Sequence, residues 1–177
     1  NKDVKLLEEY IRNLKLDNFL NIRASLILKI LLYSGARRGE LEALRTDNFI
    51  EDDELYIIHT IGKGDKERTL YMPKEYIEKE LLYYKINNIK FIASTKSTKI
   101  MDGSQIYRFL NNTYKKIGIK YSGAHILRHT FAKSMIAKNV NIVTVKELLG
   151  HSSIQTTMIY TNPNQREVQK AYLESIR

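Results

Sequence analysis

The chain has 177 residues, with 29 Lys and Arg against 20 Asp and Glu, giving a formal charge of +9. That length suits one domain, and 43% apolar residues supply an ordinary core and exclude global disorder. The absence of Cys excludes a disulfide scaffold and any Cys-ligated zinc or iron–sulfur site, and it fits a reducing compartment.

In chain order, Val4, Leu7, Ile11 and Leu14 recur at helical spacing after Asp3, a candidate N-cap, and predict a first helix. Ile22–Tyr33 is apolar nearly all round, the pattern of a buried central helix. Its longest apolar stretch, Ala24 to Tyr33, is broken by Lys29 and is far shorter than the ~20 residues a membrane span needs. The opening Asn1-Lys2-Asp3 is no signal peptide, and a first residue other than Met leads us to expect a piece of a longer protein. Gly35 ends the central helix at a turn, and Arg38–Leu44 restarts a short one. The carboxylates Glu51-Asp-Asp-Glu54 diverge on a turn or strand, so they predict a solvated turn rather than a magnesium site. Leu55–Ile61 and Glu67–Met72 flank Gly62-Lys-Gly-Asp-Lys66 and predict a hairpin. Further helices are expected at Lys74–Asn87, Ser104–Ile117 with Ser104 as cap, His125–Lys138, Ile142–Leu149 ended by Gly150, Ser153–Ile159, and Gln165–Ile176. With no repeat or Pro/Gly-rich linker, the expected fold is one domain over 1–177, mainly α with a small antiparallel β-sheet (α+β).

Charge is unevenly spread. Residues 1–60 carry 9 basic and 11 acidic side chains, whereas 61–177 carry 20 basic and 9 acidic ones. Between Ile89 and Lys146 there are 11 Lys and Arg and a single acid, Asp102. A codon bias toward Lys would add Lys everywhere and would not empty one stretch of carboxylates. A polyanion partner, most simply nucleic acid, accounts for both facts.

Four segments concentrate uncommon groups: Ser34-Gly-Ala-Arg-Arg-Gly-Glu-Leu41, Gly62-Lys-Gly-Asp-Lys-Glu-Arg68, His125-Ile-Leu-Arg-His129, and Leu148-Leu-Gly-His-Ser-Ser153 with Tyr160 nine residues past His151. A metal-free attack on a phosphodiester needs such groups. Its pentacoordinate transition state places extra negative charge on the non-bridging oxygens, which Arg clamps bidentately with a charge that does not titrate. Arg37, which position after Gly35 does not separate from Arg38, and Arg128 are the candidates. The leaving 5′ oxygen needs a proton, for which Lys63 on the hairpin tip is a candidate donor, with Lys66 the competing choice. A phenol of reference pKa ~10 becomes a usable nucleophile once cations stabilise its phenolate.

The order of these segments resembles the tyrosine recombinases, the family of phage-type integrases and Xer chromosome-dimer resolvases. The first is similar to the family's T-G-L-R-x-x-E-L box, with Ser34 and Ala36 for the usual Thr and Leu. The others resemble its G-K-G-x-K-x-R hairpin, its H-x-L-R-H box, and its L-L-G-H-S box followed by a tyrosine. The resemblance runs from about Ile22 to Tyr160. It implies that Arg37 and Arg128 hold the scissile phosphate, Lys63 is the general acid, His125 moves a proton or contacts phosphate, His151 hydrogen-bonds the transition state, and Tyr160 is the nucleophile.

By that resemblance the chain is the catalytic, C-terminal half of a site-specific DNA recombinase that works through a 3′-phosphotyrosine without metal, cofactor or ATP. Its implied partners are double-stranded DNA and a homotetramer, or a paired recombinase, on two DNA sites, with a possible accessory protein; its setting is cytoplasmic and nucleoid-associated. The Gln165–Ile176 helix has an apolar face that docks either on its own domain or on a neighbouring protomer. Other readings fit less of the chain. His125, His129 and His151 have metal-ligand spacing, but Arg128 shares their face and would repel a cation. Ile142–Leu149 and Ser153–Ile159 around Gly150 have the outline of a helix-turn-helix regulator, yet Ser152–Tyr160 holds no Lys or Arg to grip phosphate. A type IB topoisomerase shares the phosphotyrosine chemistry but not the compact recombinase-like boxes. Arg68 is expected either to support the hairpin or to touch backbone phosphate, and His129 to be packed or to support the site residues.

Overall fold

The structure, a computed structural model, describes residues 2–62, 67–150 and 165–176. Helix α1 (Lys2–Asn13) buries Leu7 and Ile11, four apart on one face. Asp3 lies inside its first turn rather than capping it, where its charge still complements the helix dipole. Helix α2 (Phe19–Tyr33) starts one turn earlier than the apolar run implies, because the Asn18 side chain accepts from the Asn21 N–H and caps it. It is the centre of the core, with Leu26, Ile27, Leu28, Ile30 and Leu31 all fully buried. Each such side chain contributes about 1.5–3 kcal/mol of burial free energy.

Two polar side chains on this helix, Ser25 and Lys29, reach across to α4 (Lys74–Ile86). Ser25 Oγ donates to Glu80 Oε1 at 2.6 Å and Lys29 Nζ to the same oxygen at 2.5 Å. Between them lie α3 (Arg38–Ala43), a single 3₁₀ turn at Thr46–Asn48, and a sheet of three antiparallel strands, β1 (Phe49–Asp52), β2 (Leu55–Ile61) and β3 (Glu67–Pro73), in the order β1-β2-β3. The hairpin forms as expected, with Ile58 opposite Leu70 and Thr60 opposite Arg68. Strand β1 was not expected from the sequence. Its four residues bury only Phe49, so no run of alternating apolar residues announces it. Glu51 to Glu54 are exposed at the β1–β2 turn, with Asp53 at φ +50°, as a solvated turn should be.

Helix α5 (Gly103–Ile117) is capped by Asp102, not by Ser104: the Asp102 carboxylate accepts from the Gln105 N–H while the Gln105 side chain accepts from the Asp102 N–H. A charged oxygen at the positive helix end outcompetes a serine two residues further in. Helices α6 (His125–Ala137), α7 (Ile142–Leu149) and α8 (Gln165–Ile176) build a second apolar cluster around Phe131, Met135, Leu148, Val168 and Tyr172. In the single chain α8 packs on its own domain. Tyr172 is fully buried and donates to the Tyr33 carbonyl at 2.6 Å, while Tyr76 and Lys138 donate to the Ile176 and Ser175 carbonyls at the C-terminal end of α8. The segment expected as a helix at Ser153–Ile159 lies outside the described residues. Among the described residues no helix is long and apolar enough to cross a membrane.

Candidate active site

The site is built where α2 turns into α3. Gly35 sits at φ +67°, and a Cβ there would come within 2.7 Å of the Phe131 ring, so backbone conformation and space both demand glycine. The turn places Arg37 at the N-cap of α3, with Glu40 three residues on. The Arg37 N–H donates to Glu40 Oε2 at 2.7 Å, and its guanidinium Nη1 donates to Oε1 at 2.9 Å. Glu40 therefore satisfies an orphan donor at the start of the helix and orients the arginine side chain at the same time.

Two more arginines reach the same place from other elements. Arg68, on the inward face of β3, donates through Nη1 to Glu40 Oε2 and through Nη2 to the Leu148 carbonyl at 2.6 Å. Arg128, one turn into α6, donates through Nη1 to the Gly35 carbonyl at 2.6 Å and through Nη2 to the Leu149 carbonyl at 2.5 Å. Arg37 Nη2 lies 3.3 Å from the Gly150 carbonyl. Thus the last carbonyls of α7, at Leu148, Leu149 and Gly150, each receive one guanidinium. A helix leaves these carbonyls unpaired and carries partial negative charge there, so cations belong at that end.

The electrostatics follow from one carboxylate among three guanidinium groups. Burial pushes the Glu40 carboxyl up, but the Arg68 charge and the hydrogen bonds from Arg37 and Arg68 outweigh it and hold the group below its ordinary value. Burial lowers Arg68, an effect that Glu40 opposes. Burial, with Arg68 and Arg37 as like-charged neighbours, lowers Arg128 to about 10, so it remains a cation at neutral pH. Accessibility divides the arginines: the Arg37 side chain is 30% exposed and can meet a ligand, whereas that of Arg68 is 6% exposed and cannot. A cleft of about 840 Å³, lined by Glu40, Arg68, His59, Thr60, Tyr71 and Gly150 among others, opens beside them.

Of the residues singled out from sequence, Arg37 and Arg128 converge on one turn, and His125 lies exposed at the start of α6, three residues before Arg128 and therefore on the same face. Lys63, His151 and Tyr160 lie outside the described residues. Arg68, expected to support the hairpin or touch backbone phosphate, is buried and ties hairpin strand β3 to Glu40 and the Leu148 carbonyl. His129, expected to be packed or to support the site residues, is exposed. Sequence reasoning missed Glu40 as the organising carboxylate, although its Arg-x-x-Glu spacing to Arg37 is that of neighbours on a helix.

The sequence matches the profile of the phage integrase family over residues 2–167. The chain belongs to the phage integrase family. Its relatives within that family include a tyrosine recombinase XerH from Campylobacter jejuni, 35% identical over 80% of this chain and 41% of the relative. Another is a tyrosine recombinase XerA from Saccharolobus solfataricus, 33% identical over 99% of this chain and 58% of the relative. The fold agrees. A XerH recombinase bound to palindromic difH substrate as a post-cleavage complex superposes with a TM-score of 0.76 at 26% identity, covering 97% of this chain and 50% of that one. A XerA recombinase superposes at 0.71 with 30% identity, covering 98% and 63%. The integrase-family chain thus spans about half the length of the relatives it matches. Membership in the phage integrase family confirms the mainly α, small-sheet fold and disfavours a helix-turn-helix regulator, since Ile142–Leu149, the described helix of that outline, is one part of a larger domain.

Proposed function

We propose that the chain is the catalytic half of a site-specific DNA recombinase. The observation that carries this reading is the convergence of Arg37 and Arg128 on one turn, organised by Glu40, in a chain of the phage integrase family. Three guanidinium groups against one carboxylate leave an excess of two positive charges. A phosphodiester carries one negative charge, and its pentacoordinate transition state gathers about two on the non-bridging oxygens. The preorganised excess therefore matches the transition state better than the ground state, which is the requirement for catalysis.

The chemistry assigned to the remaining groups balances as follows. Tyr160 Oη, on losing its proton, attacks the scissile phosphorus and forms a 3′-phosphotyrosine, while the bond to the 5′ oxygen breaks and Lys63 supplies the proton that makes it a hydroxyl. His125 and His151 move protons or hydrogen-bond the non-bridging oxygens. The 5′ hydroxyl of a partner duplex then attacks the phosphotyrosine, so one phosphoester replaces another and no nucleotide or metal is consumed. The basic stretch Ile89–Lys146 holds double-stranded DNA largely through phosphates, with steep salt dependence. A homotetramer or paired recombinase on two duplexes, with α8 exchanging onto a neighbour, completes the assembly in the cytoplasm at the nucleoid, and chromosome-dimer resolution fits the Xer names of the relatives.

The test uses a nicked suicide duplex chosen by binding selection from a randomised pool. Wild type should give a denaturant-stable protein–DNA adduct and Tyr160→Phe none. An adduct with Tyr160→Phe, or binding without any adduct in the wild type, overturns the reading; a regulator would bind and never link.

A further inference from the structure

We infer that Arg68 is a positioning residue for the phosphate-binding arginines, acting through Glu40 and the end of α7 and never touching DNA itself. The inference rests on the recombinase reading above. Glu40 Oε2 is shared between the Arg37 N–H and Arg68 Nη1, while Oε1 faces Arg37 Nη1. Arg68 therefore fixes the plane of the carboxylate whose other oxygen aims the Arg37 guanidinium. Its second arm reaches the Leu148 carbonyl, next to the two carbonyls held by Arg128 and Arg37.

The side chain is also braced along its length. A Cβ on Gly150, which sits at φ +60°, would come within 2.5 Å of Arg68 Cδ and Nε, so the stem of the arginine lies directly on that turn. Its Nε is buried and has no hydrogen-bond partner among the described residues, while the terminal nitrogens reach Glu40 and Leu148. A rigid planar fork serves two acceptors on different elements at once, whereas the single ammonium of a lysine is a point charge. Arg68 thereby ties β3, the second strand of the hairpin, to α3 and α7 at the point where Arg37 and Arg128 meet.

A purely structural role for a buried ion pair is the competing account, and the test separates the two. Arg68→Lys and Arg68→Gln are compared with wild type for single-turnover adduct formation on a saturating suicide duplex. The scissile linkage is either the ordinary phosphodiester or a methylphosphonate, which lacks one anionic oxygen and so needs less from Arg37. Both variants should form adduct about 10–100-fold more slowly on the phosphodiester and within about threefold of wild type on the methylphosphonate, in keeping with loss of a transition-state contact. Duplex affinity should stay within about twofold, because Arg68 does not face solvent. Equal deficits on the two substrates, affinity that falls in step with rate, or Arg68→Lys at the wild-type rate overturns the inference.

A wild type that makes no adduct overturns the recombinase reading instead. The positioning claim is then decided on the DNA-free chain by guanidinium NMR. Arg68→Lys should abolish a resolved, slowly exchanging Arg37 signal while thermal melting shows the fold intact. An Arg37 signal that persists unchanged overturns the claim.

Discussion

Replacing Glu40 by Gln tests the whole arrangement with one atom. The side chain is 1% exposed, and its two oxygens accept from the Arg37 N–H, the Arg37 guanidinium and the Arg68 guanidinium. A glutamine keeps one oxygen, best placed where Oε2 serves both Arg68 and the Arg37 N–H. Its NH₂ then faces Arg37 Nη1, donor against donor, and Arg37 is free to swing toward solvent. The negative charge beside Arg68 is gone, and that guanidinium, 6% exposed, becomes an uncompensated buried charge. Breaking a buried pair in this way costs about 3–5 kcal/mol. For a domain of this size each 1 kcal/mol lowers Tm by about 2–4 °C, so a fall of roughly 6–20 °C is expected.

Equilibrium urea unfolding and thermal melts at neutral pH measure that loss, and the pH dependence supplies its sign. The folded pKa of Glu40 lies below its ordinary value. The unfolded chain therefore takes up the proton first as pH falls, and the stabilisation is complete above the ordinary carboxylate value of about 4.3 and disappears as pH drops through the folded value. The gap between wild type and Glu40→Gln should be flat between about pH 6 and 8 and narrow below about pH 4. A neutral-pH gap under about 1 kcal/mol, or one that widens on acidification, refutes the view of Glu40 as the ionised centre of the site.

Other substitutions probe the supports around the site. Gly150→Ala forces a Cβ at φ +60° to within 2.5 Å of Arg68 and should destabilise by about 1–3 kcal/mol in urea melts, with a larger loss of activity than Ala at the open position Gly39. Lys29→Met leaves the buried Glu80 with Ser25 as its sole side-chain hydrogen-bond partner among the described residues and should cost about 3–5 kcal/mol, while adding Glu80→Leu should restore most of that by removing the stranded charge. Tyr172→Phe deletes the hydroxyl that donates to the Tyr33 carbonyl and should cost about 1–3 kcal/mol in the isolated chain; no effect would show that α8 does not rest on its own domain in solution.

Much of the site was legible before any fold was known, for reasons visible in particular residues. His125 and Arg128 lie one turn apart on one basic helix, so local spacing already placed them on one surface, whereas Arg37 was separated from its neighbour Arg38 only by the family resemblance. The acidic run at Glu51–Glu54 was read correctly as a turn because adjacent side chains on a strand or turn point apart. Strand β1 and the Asp102 cap were harder. Four residues with one buried side chain carry almost no period, and choosing between Asp102 and Ser104 depends on where the preceding chain comes from.

The sequence by itself predicted most of the described elements and the basic stretch Ile89–Lys146, because helical period, turn residues and local charge act over a few positions along the chain; the choice of Arg37 over Arg38 came from the family resemblance. Only the tertiary structure decided what Arg68 and Glu40 do. They are 28 residues apart, and Arg68 and Leu148 are 80 apart. A buried charge is tolerable only where the fold brings it an opposite charge and fixed acceptors, and no pattern within a strand announces partners that arrive from α3 and α7. The same long-range closure turned separated arginines into one preorganised cluster aimed at a single turn.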